Sequence, residues 1–537
     1  MDRETVFRRR WLILAVLSLS LIVIGLDILI ITIALPDIQT DLSAGATAMQ
    51  WTVNAYTLGF GGLLLLAGGL ADRFGRKRVL SLGLTLFLLF SLGATYAGSA
   101  EALIAFRAGM GMSSALIMPT TLAIIRNVFP PHEQSRAIAL WTAAAGIGVP
   151  LGPVVGGVLL DTFWWGSVFL INIPVAGGAL LAGAWLLPES RDERHAGLDL
   201  PGAGLSVAGL VALVYGLIQG PEWGWSAPGT WGLIAGGFLL LVGFAAWEGR
   251  TQRPMLDGVL FRNPRFTGPA ISITCVAFTL FGALFLVTQY LQFALRLPPL
   301  EAGLRMLAIC TLILTSALAP MVVRRLGLRA TIAGGLAVIA AGAALLSTVD
   351  AQSEDRALVA LGLLGLGLGL AMPPAADSIL ASSPAGQSGA GSAVTDTAMQ
   401  VGGALGIAVM GSVLTTRYRG ELPALDHLPL PAREAAADSL GGAHAVATRV
   451  GPAGDGLLTA ADRAFEVALS NATLVGAAVA GAGALAAALV LPRHPLVPGS
   501  GPGEAAPTVP EQARGPENGD GEDWLNAATG APARRGR

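Results

Sequence analysis

Apolar runs of about 20 residues recur along the chain, each bounded by charge, Gly or Pro, and runs of that length predict membrane-spanning helices. Fourteen lie near 12–34, 52–71, 79–98, 101–125, 137–160, 167–187, 201–219, 231–247, 267–291, 302–323, 331–349, 357–380, 392–414 and 472–491. The expected fold class is an all-α polytopic membrane protein. The first run follows RRRW and continues without a small-residue cleavage pattern, so it reads as a retained span rather than a signal peptide. Charge is almost absent inside the runs, which makes the exceptions informative. In LIVIGLDILIITIALP, residues 21–36, Asp27 is the one ionisable group. A charge at that depth is costly unless it is paired or faces a water-filled cavity.

Arg and Lys fall unevenly between the runs. One set of connections carries Arg3, Arg8, Arg9 and Arg10, then Arg73, Arg76, Lys77 and Arg78, then Arg126 and Arg136, Arg191 and Arg194, Arg250, Arg253, Arg262 and Arg265, and Arg324, Arg325 and Arg329; the short connections of the opposite set carry only Arg296 and Arg356. That bias predicts the first set, and both termini, on the cytoplasmic side of the cell membrane. Two segments read as non-membrane. Residues 415–471 form a long extracellular loop whose run AREAAADSLGGAHAVATRV has room for helix, and 493–537 is a Pro/Gly/Glu-rich cytoplasmic tail expected to be disordered.

Composition agrees with this class: 53% of 537 residues are hydrophobic, 13% are charged, and the formal net charge is -2. Nothing in that balance suggests nucleic acid as a partner. The two cysteines, Cys275 and Cys310, sit inside apolar runs, and the five histidines form no cluster with Cys or carboxylates, so neither a disulfide framework nor a metal site is expected. No GxxxxGK[ST] occurs, which excludes the P-loop route to ATP. An enzyme is not expected.

GGLADRFGRKRVL at 68–80 has a fainter copy, APMVVRRLGLRATI, at 319–332, with Arg324 standing where the first copy has Asp72. The copies lie eight spans apart, which suggests two six-span halves with an extra pair between them. The domains expected are a bundle over 1–190, two accessory spans over 191–250, and a second bundle over 251–414 and 472–492. Two related bundles around a central cavity is a transporter plan.

The first copy resembles the cytoplasmic loop signature of the major facilitator superfamily, with Gly68, Asp72, Arg73, Gly75, Arg76 and Arg78 matching. The fourteen-span layout, with LDILIITIALPDI at 26–38, QWTVNAYTL at 50–58, RAGMGMSSA at 107–115 and GVPLGPVVGG at 148–157, resembles its fourteen-helix drug:proton antiporter branch. The resemblance implies that Asp72 holds one conformational state through charge contacts between spans; the alternative is that these basic residues only set topology. It also identifies GVPLGPVVGG with the antiporter motif. Gly148, Gly152 and Gly156 share one helix face and permit close packing, Gly157 follows, and Pro153 removes a backbone donor.

Span one runs outward and span four inward, and counting 1.5 Å per residue places Asp27 and Arg107 at a shared depth of roughly 10 Å from the outer surface. A pair facing a cavity is far less costly than two isolated charges, and burial and a neighbouring cation pull a carboxylate's proton affinity in opposite directions, as proton coupling requires. A static ion pair that fixes helix packing is the alternative. Asp396 and Gln400, one turn apart on span thirteen, form a second candidate acid site, or a helix-start acid near the inner surface. Asn54 stands where some polycation-exporting relatives have Asp, and Met110 where the family pattern has Gln. Both make the cavity less polar and favour monovalent lipophilic cations or neutral antibiotics. Tyr56 and Gln289 are further candidates to line the pathway, although interfacial anchoring is the cheaper explanation for the tyrosine.

The expected function is proton-coupled antiport of lipophilic drugs or antibiotics by alternating access, with protons, a small lipophilic substrate and the lipid bilayer as partners, no cofactor beyond the proton gradient, and a monomer as the working unit. The alternative is dedicated export of one endogenous metabolite or self-made antibiotic.

Overall fold

The computed structural model of the chain describes residues 3–492, apart from 192–198, 252–254, 256–257, 259, 351–352, 383–387, 424 and 426–427. The expected tail at 493–537 therefore lies outside the described residues, all of whose regular structure is helical. The first group is α1 (Arg3–Asp41), α2 (Ala46–Phe74), α3 (Arg76–Thr95), α4 (Ala100–Val128), α5 (Pro131–Thr162), the single turn α6 (Ser167–Leu170) and α7 (Asn172–Leu186). A hairpin follows, α8 (Leu200–Trp223) and α9 (Pro228–Glu248). The second group is α10 (Pro264–Gln289), α11 (Pro299–Met306), α12 (Thr311–Leu346), α13 (Glu354–Ser382), α14 (Ser388–Glu421), α15 (Leu430–Asp438), α16 (Leu440–Val450) and α17 (Asp455–Val490).

Starts follow local chemistry. Pro131, Pro228 and Pro264 occupy first helical positions, where a missing N–H costs nothing, and Ser99, Asp199, Asn263 and Ser439 cap free amides at their helix ends. In the first group α2 packs on α4, α1 on α5, and α7 on α1 and α3; in the second, α10, α12, α13, α14 and α17 pack together. Two seams join the groups, α2 against α14 and α5 against α11. The α8–α9 hairpin leans on the first seam, where Leu58 of α2, Leu210, Val214 and Ile218 of α8, and Ala404 and Ala408 of α14 form one apolar cluster.

Among the described residues twelve helices are long and apolar enough to cross a membrane, and the bent α2 makes a thirteenth. Two spans are expected within Pro299–Leu346, which counts as one span of 48 residues, roughly 70 Å of helix against a hydrocarbon core of about 30 Å. Gly327, at φ 84° and ψ 161°, interrupts it. Before Gly327, Thr311 meets Gly362 of α13 and Ser316 meets Gly369, so that arm runs parallel to α13. After it, Gly335 meets Gly367 while Gly342 meets Ala360, the opposite sense. The two arms are antiparallel. Gly75, at the equivalent position of the first repeat, also has positive φ (103°) and separates α2 from α3. The weak repeat thus corresponds to one backbone device used twice, since that region admits glycine and few other residues.

Helix enters the expected 415–471 loop from both sides: α14 runs on to Glu421 and α17 begins at Asp455. Its amphipathic run forms α15 and α16, a cap over one end of the molecule.

Candidate functional site

Asp27 and Arg107 meet in the first bundle. Arg107 Nη1 donates to Asp27 Oδ2 at 2.5 Å, with the side chains 1% and 0% exposed. Their lone pairs and protons are largely accounted for. Asn172 Nδ2 donates to the other carboxylate oxygen at 3.2 Å and also reaches Ser91 Oγ. Arg107 Nε donates to the Thr52 carbonyl at 3.1 Å, and the guanidinium lies 4.4 Å over the Tyr56 ring. Tyr56 shares a 2.9 Å hydrogen bond with Ser114. The shared depth read from the sequence is therefore a direct contact, and among the described residues the buried pair is surrounded by groups from α2, α3, α4 and α7. Tyr56, 2% exposed, is part of this network and not an interfacial anchor. Met110, three residues on from Arg107, is fully buried in the same core rather than presented to an open pathway.

The glycines of GVPLGPVVGG pack against α1 alongside Asp27. A Cβ on Gly148 would lie 2.7 Å from the Ile22 carbonyl, one on Gly152 2.8 Å from that of Leu26, and one on Gly156 2.9 Å from the Ile30 side chain. The face thus runs along α1 residues 22–30, the stretch that carries Asp27. The neighbouring face of α5 forms a seam: Gly157 packs on the backbone of Leu300, and Gly303 on the carbonyl of Pro153.

At the arginine-rich end, Arg76 donates to Asp72 at 2.8 Å across the Gly75 turn and to the Ala123 carbonyl at 3.3 Å. Arg78 lies 3.6 Å from Glu189, whose carboxylate also accepts from the Lys77 amide. Arg73 is exposed with its guanidinium 5.4 Å from the Phe74 ring, and Gly68 has open space where a Cβ would be. Among the described residues the hydrogen bonds and ion pairs of this motif stay within the first bundle.

The opposite end is closed. Gln292 donates to the Ile33 carbonyl at 2.9 Å. The cap is tied down by Gln39 on Ser439 Oγ at 2.6 Å, by the Ala46 amide on Asp438 at 2.7 Å, and by Arg419 on Asp438 at 2.6 Å. His444 of α16 stacks on Phe293, 6.2 Å between centroids and 20° between planes, with Nε2 3.6 Å from Asp462, which also faces Arg296 at 3.7 Å. Burial, reinforced by Arg296 and opposed by Asp462, holds His444 below its ordinary value of 6.5.

Along the α2–α14 seam, Gln50 lies over Gly411, and Gln400 over Gly61. Asn54 is fully buried, and among the described residues neither polar atom of its side chain has a partner. Gln289 sits at the cap end beside Gln50. Asp396 is half-buried in α14 with no hydrogen-bond or ion-pair partner among the described residues. The structure thus separates the proton candidates: Asp27 with Arg107 in one bundle, Asp396 in the other. Arg305 pairs with Glu301 as its spacing suggests, and also with Glu354 of α13. Sequence reasoning missed Asn172, Ser91, Gln50 and the cap contacts; an Asn within the apolar run FLINIP was a readable signal, whereas the partners of Gln39 and His444 depend on tertiary contacts.

The Major Facilitator Superfamily model matches residues 17–407. This chain belongs to that superfamily. It is 34% identical over 419 residues to the tetracenomycin C resistance and export protein of Streptomyces glaucescens, covering 77% of this chain and 78% of that protein. It is 35% identical over 474 residues to the multidrug efflux pump LfrA of Mycolicibacterium smegmatis (87% and 94%), and 38% identical over 417 residues to a puromycin resistance protein of Streptomyces alboniger (76% and 82%). Among solved structures, a bacterial homologue of the human lysosomal transporter Spinster superimposes with a TM-score of 0.62 at 16% identity, covering 90% of this chain and 97% of that one. A D-xylose-proton symporter gives 0.54 at 16% identity over 75% and 89%. The superfamily is one of transporters, and the chain is an integral membrane transporter rather than an enzyme.

Proposed function

We propose that the protein exports lipophilic drugs or antibiotics across the cell membrane in exchange for protons. The arginine-rich end is cytoplasmic on this reading, the capped end external, and Pro299–Leu346 crosses twice. The export half rests on the relatives, whose names describe multidrug efflux, antibiotic resistance and export. The coupling half rests on one observation: a fully buried carboxylate whose ion-pair partner also holds the backbone of a seam helix, through the Thr52 carbonyl. Protonating Asp27 removes the charge that fixes Arg107, and Arg107 then releases or re-aims its hold on α2. A proton is thereby exchanged for a change in the seam, which is what a two-state exchanger requires. Asp396 in the opposite bundle supplies a second acid for proton or cation. The Asp72 motif, confined here to one bundle, engages the other when the cytoplasmic end closes.

The test is export of a fluorescent lipophilic cation from proteoliposomes under an imposed pH gradient. Asp27→Asn is expected to abolish gradient-driven transport while leaving drug binding intact. Gradient-driven transport surviving in Asp27→Asn and lost in Asp396→Asn moves the coupling proton to α14.

A second reading, export of a single compound, is favoured by two of the relatives, which are named for tetracenomycin C and puromycin. A substrate panel separates the two.

A further inference from the structure

At the capped end α1, α2, α10 and α14 converge on a cleft whose interior scarcely admits one water molecule. Among the described residues no charged side chain lines it. Its polar groups are Gln39, Gln50, Gln289 and Thr415, set among apolar walls that include Phe285 and Phe293. Gln39 is engaged by the cap, but Gln50, 1% exposed, leaves Oε1 without a partner. One turn deeper on the same face of α2, Asn54 leaves both Oδ1 and Nδ2 unpartnered at 0% exposure. Buried amides are rarely left so, because each keeps its full desolvation cost. The seam makes room for them: a Cβ on Gly411 would come within 2.7 Å of Gln50 Cδ. These groups are unsatisfied in the closed arrangement and lie on the surface that alternating access must part.

We propose that this cleft is an exit-side substrate station that selects uncharged molecules carrying hydrogen-bond donors and acceptors on a flat apolar body. Each amide offers one carbonyl acceptor and two N–H donors, so it matches ketone, hydroxyl and amide groups and neutralises no charge. The aromatic and aliphatic walls take the apolar body. A cation finds no carboxylate here to offset its lost hydration. When the bundles separate at this end, Gln50 and Asn54 turn from unsatisfied groups into the polar contacts of the ligand. A site built to hydrogen-bond its substrate discriminates strongly against analogues without those groups. The inference rests on the export reading and adds the substrate class.

The experiment uses the full chain in proteoliposomes with two probes, quinizarin as a neutral dihydroxyanthraquinone and ethidium as a monocation. Asn54→Leu and Gln50→Leu are each expected to lower the quinizarin-to-ethidium ratio of kcat/KM about tenfold, the equivalent of one hydrogen bond of about 1.4 kcal/mol. Neither variant should lose thermal stability, because no partner is given up. Gly411→Ala, which displaces the Gln50 amide, should move the ratio the same way. An unchanged ratio in both Leu variants overturns the proposal, as does a drop in their melting temperature, which would mean that the amides are structural. Wild type that exports ethidium but not quinizarin overturns the inference and leaves the export reading standing; wild type that moves neither overturns both.

Discussion

Arg107→Met isolates the energetics of the buried pair. In the native protein the guanidinium is 1% exposed and satisfies Asp27, the Thr52 carbonyl and the face of Tyr56 together. Removing it leaves a carboxylate at 0% exposure with Asn172 as its remaining donor. Breaking a buried pair from one side costs about 3–5 kcal/mol, most of it the uncompensated charge. Asp27→Asn combined with Arg107→Met removes that charge and gives up only the Thr52 bond and the stacking, about 1–3 kcal/mol together. The double variant is therefore expected to be more stable than Arg107→Met alone, an ordering that simple accumulation of damage would not produce. Thermal unfolding of the purified protein in detergent, followed by tryptophan fluorescence, gives the order of melting temperatures. If the double variant melts at or below Arg107→Met, Asp27 is not held as an anion by Arg107, and the proposed coupling fails with it.

Three further outcomes follow from the same contacts. Gly157→Leu drives a side chain into the Leu300 backbone, where a bare Cβ already comes within 2.5 Å; transport should fall by more than tenfold, and labelling of a cysteine placed at Gln292 should rise as the capped end is wedged open, whereas unchanged labelling would remove that seam from the gate. Gly75→Ala puts a Cβ on a residue at φ 103° and 2.6 Å from Glu189, at a cost of about 1–3 kcal/mol, read as a lower melting temperature; no change would mean that the turn tolerates ordinary residues. His444, whose folded value lies below 6.5 because burial disfavours its charged form, contributes cap stability that is present above pH 6.5 and is lost as pH falls through the folded value. Amide hydrogen exchange across 430–450 should therefore quicken on acidification from pH 7 to 5, and His444→Gln should flatten that response; equal acceleration in both proteins would show that another group titrates.

How much of this was legible beforehand depended on whether the signal was local. Helix positions came from run length, because lipid leaves the backbone no other way to satisfy itself, and the Asp27–Arg107 contact came from matching depths on antiparallel spans. The Gly75 and Gly327 turns were visible as a repeat, although not as a shared backbone conformation. The enclosure of the pair was not legible: nothing in the composition of span one tells whether Asp27 faces a cavity or, as found, Asn172 and Arg107. The same holds for Tyr56, whose residue type suggests a membrane interface while its packing puts it beneath a guanidinium. The cap's fastening was hidden for another reason, since Gln39 and Ser439 are 400 positions apart and no periodicity links them.

The two seams share one property that bears on mechanism. Each is carried, on the first bundle's side, by a helix whose other face is engaged with the Asp27 network. For α2 the engagement is polar: Thr52 and Tyr56 face Arg107, while Gln50 packs on Gly411 and Leu58 clusters with Ala404 and Ala408 of α14, with Asn54 one turn from each on the same helix face. For α5 it is steric: Gly148, Gly152 and Gly156 lie on the backbone of α1 around Asp27, while Pro153 and Gly157 meet α11. Close-packed helices shift as bodies instead of deforming, so the change of charge proposed for Asp27 is expected to act on both seams through these contacts. Such a layout needs no substrate contact with Asp27. A coupling acid sealed inside one bundle and a substrate station on the seam can exchange free energy through α2 alone, so proton and drug need not compete for the same space.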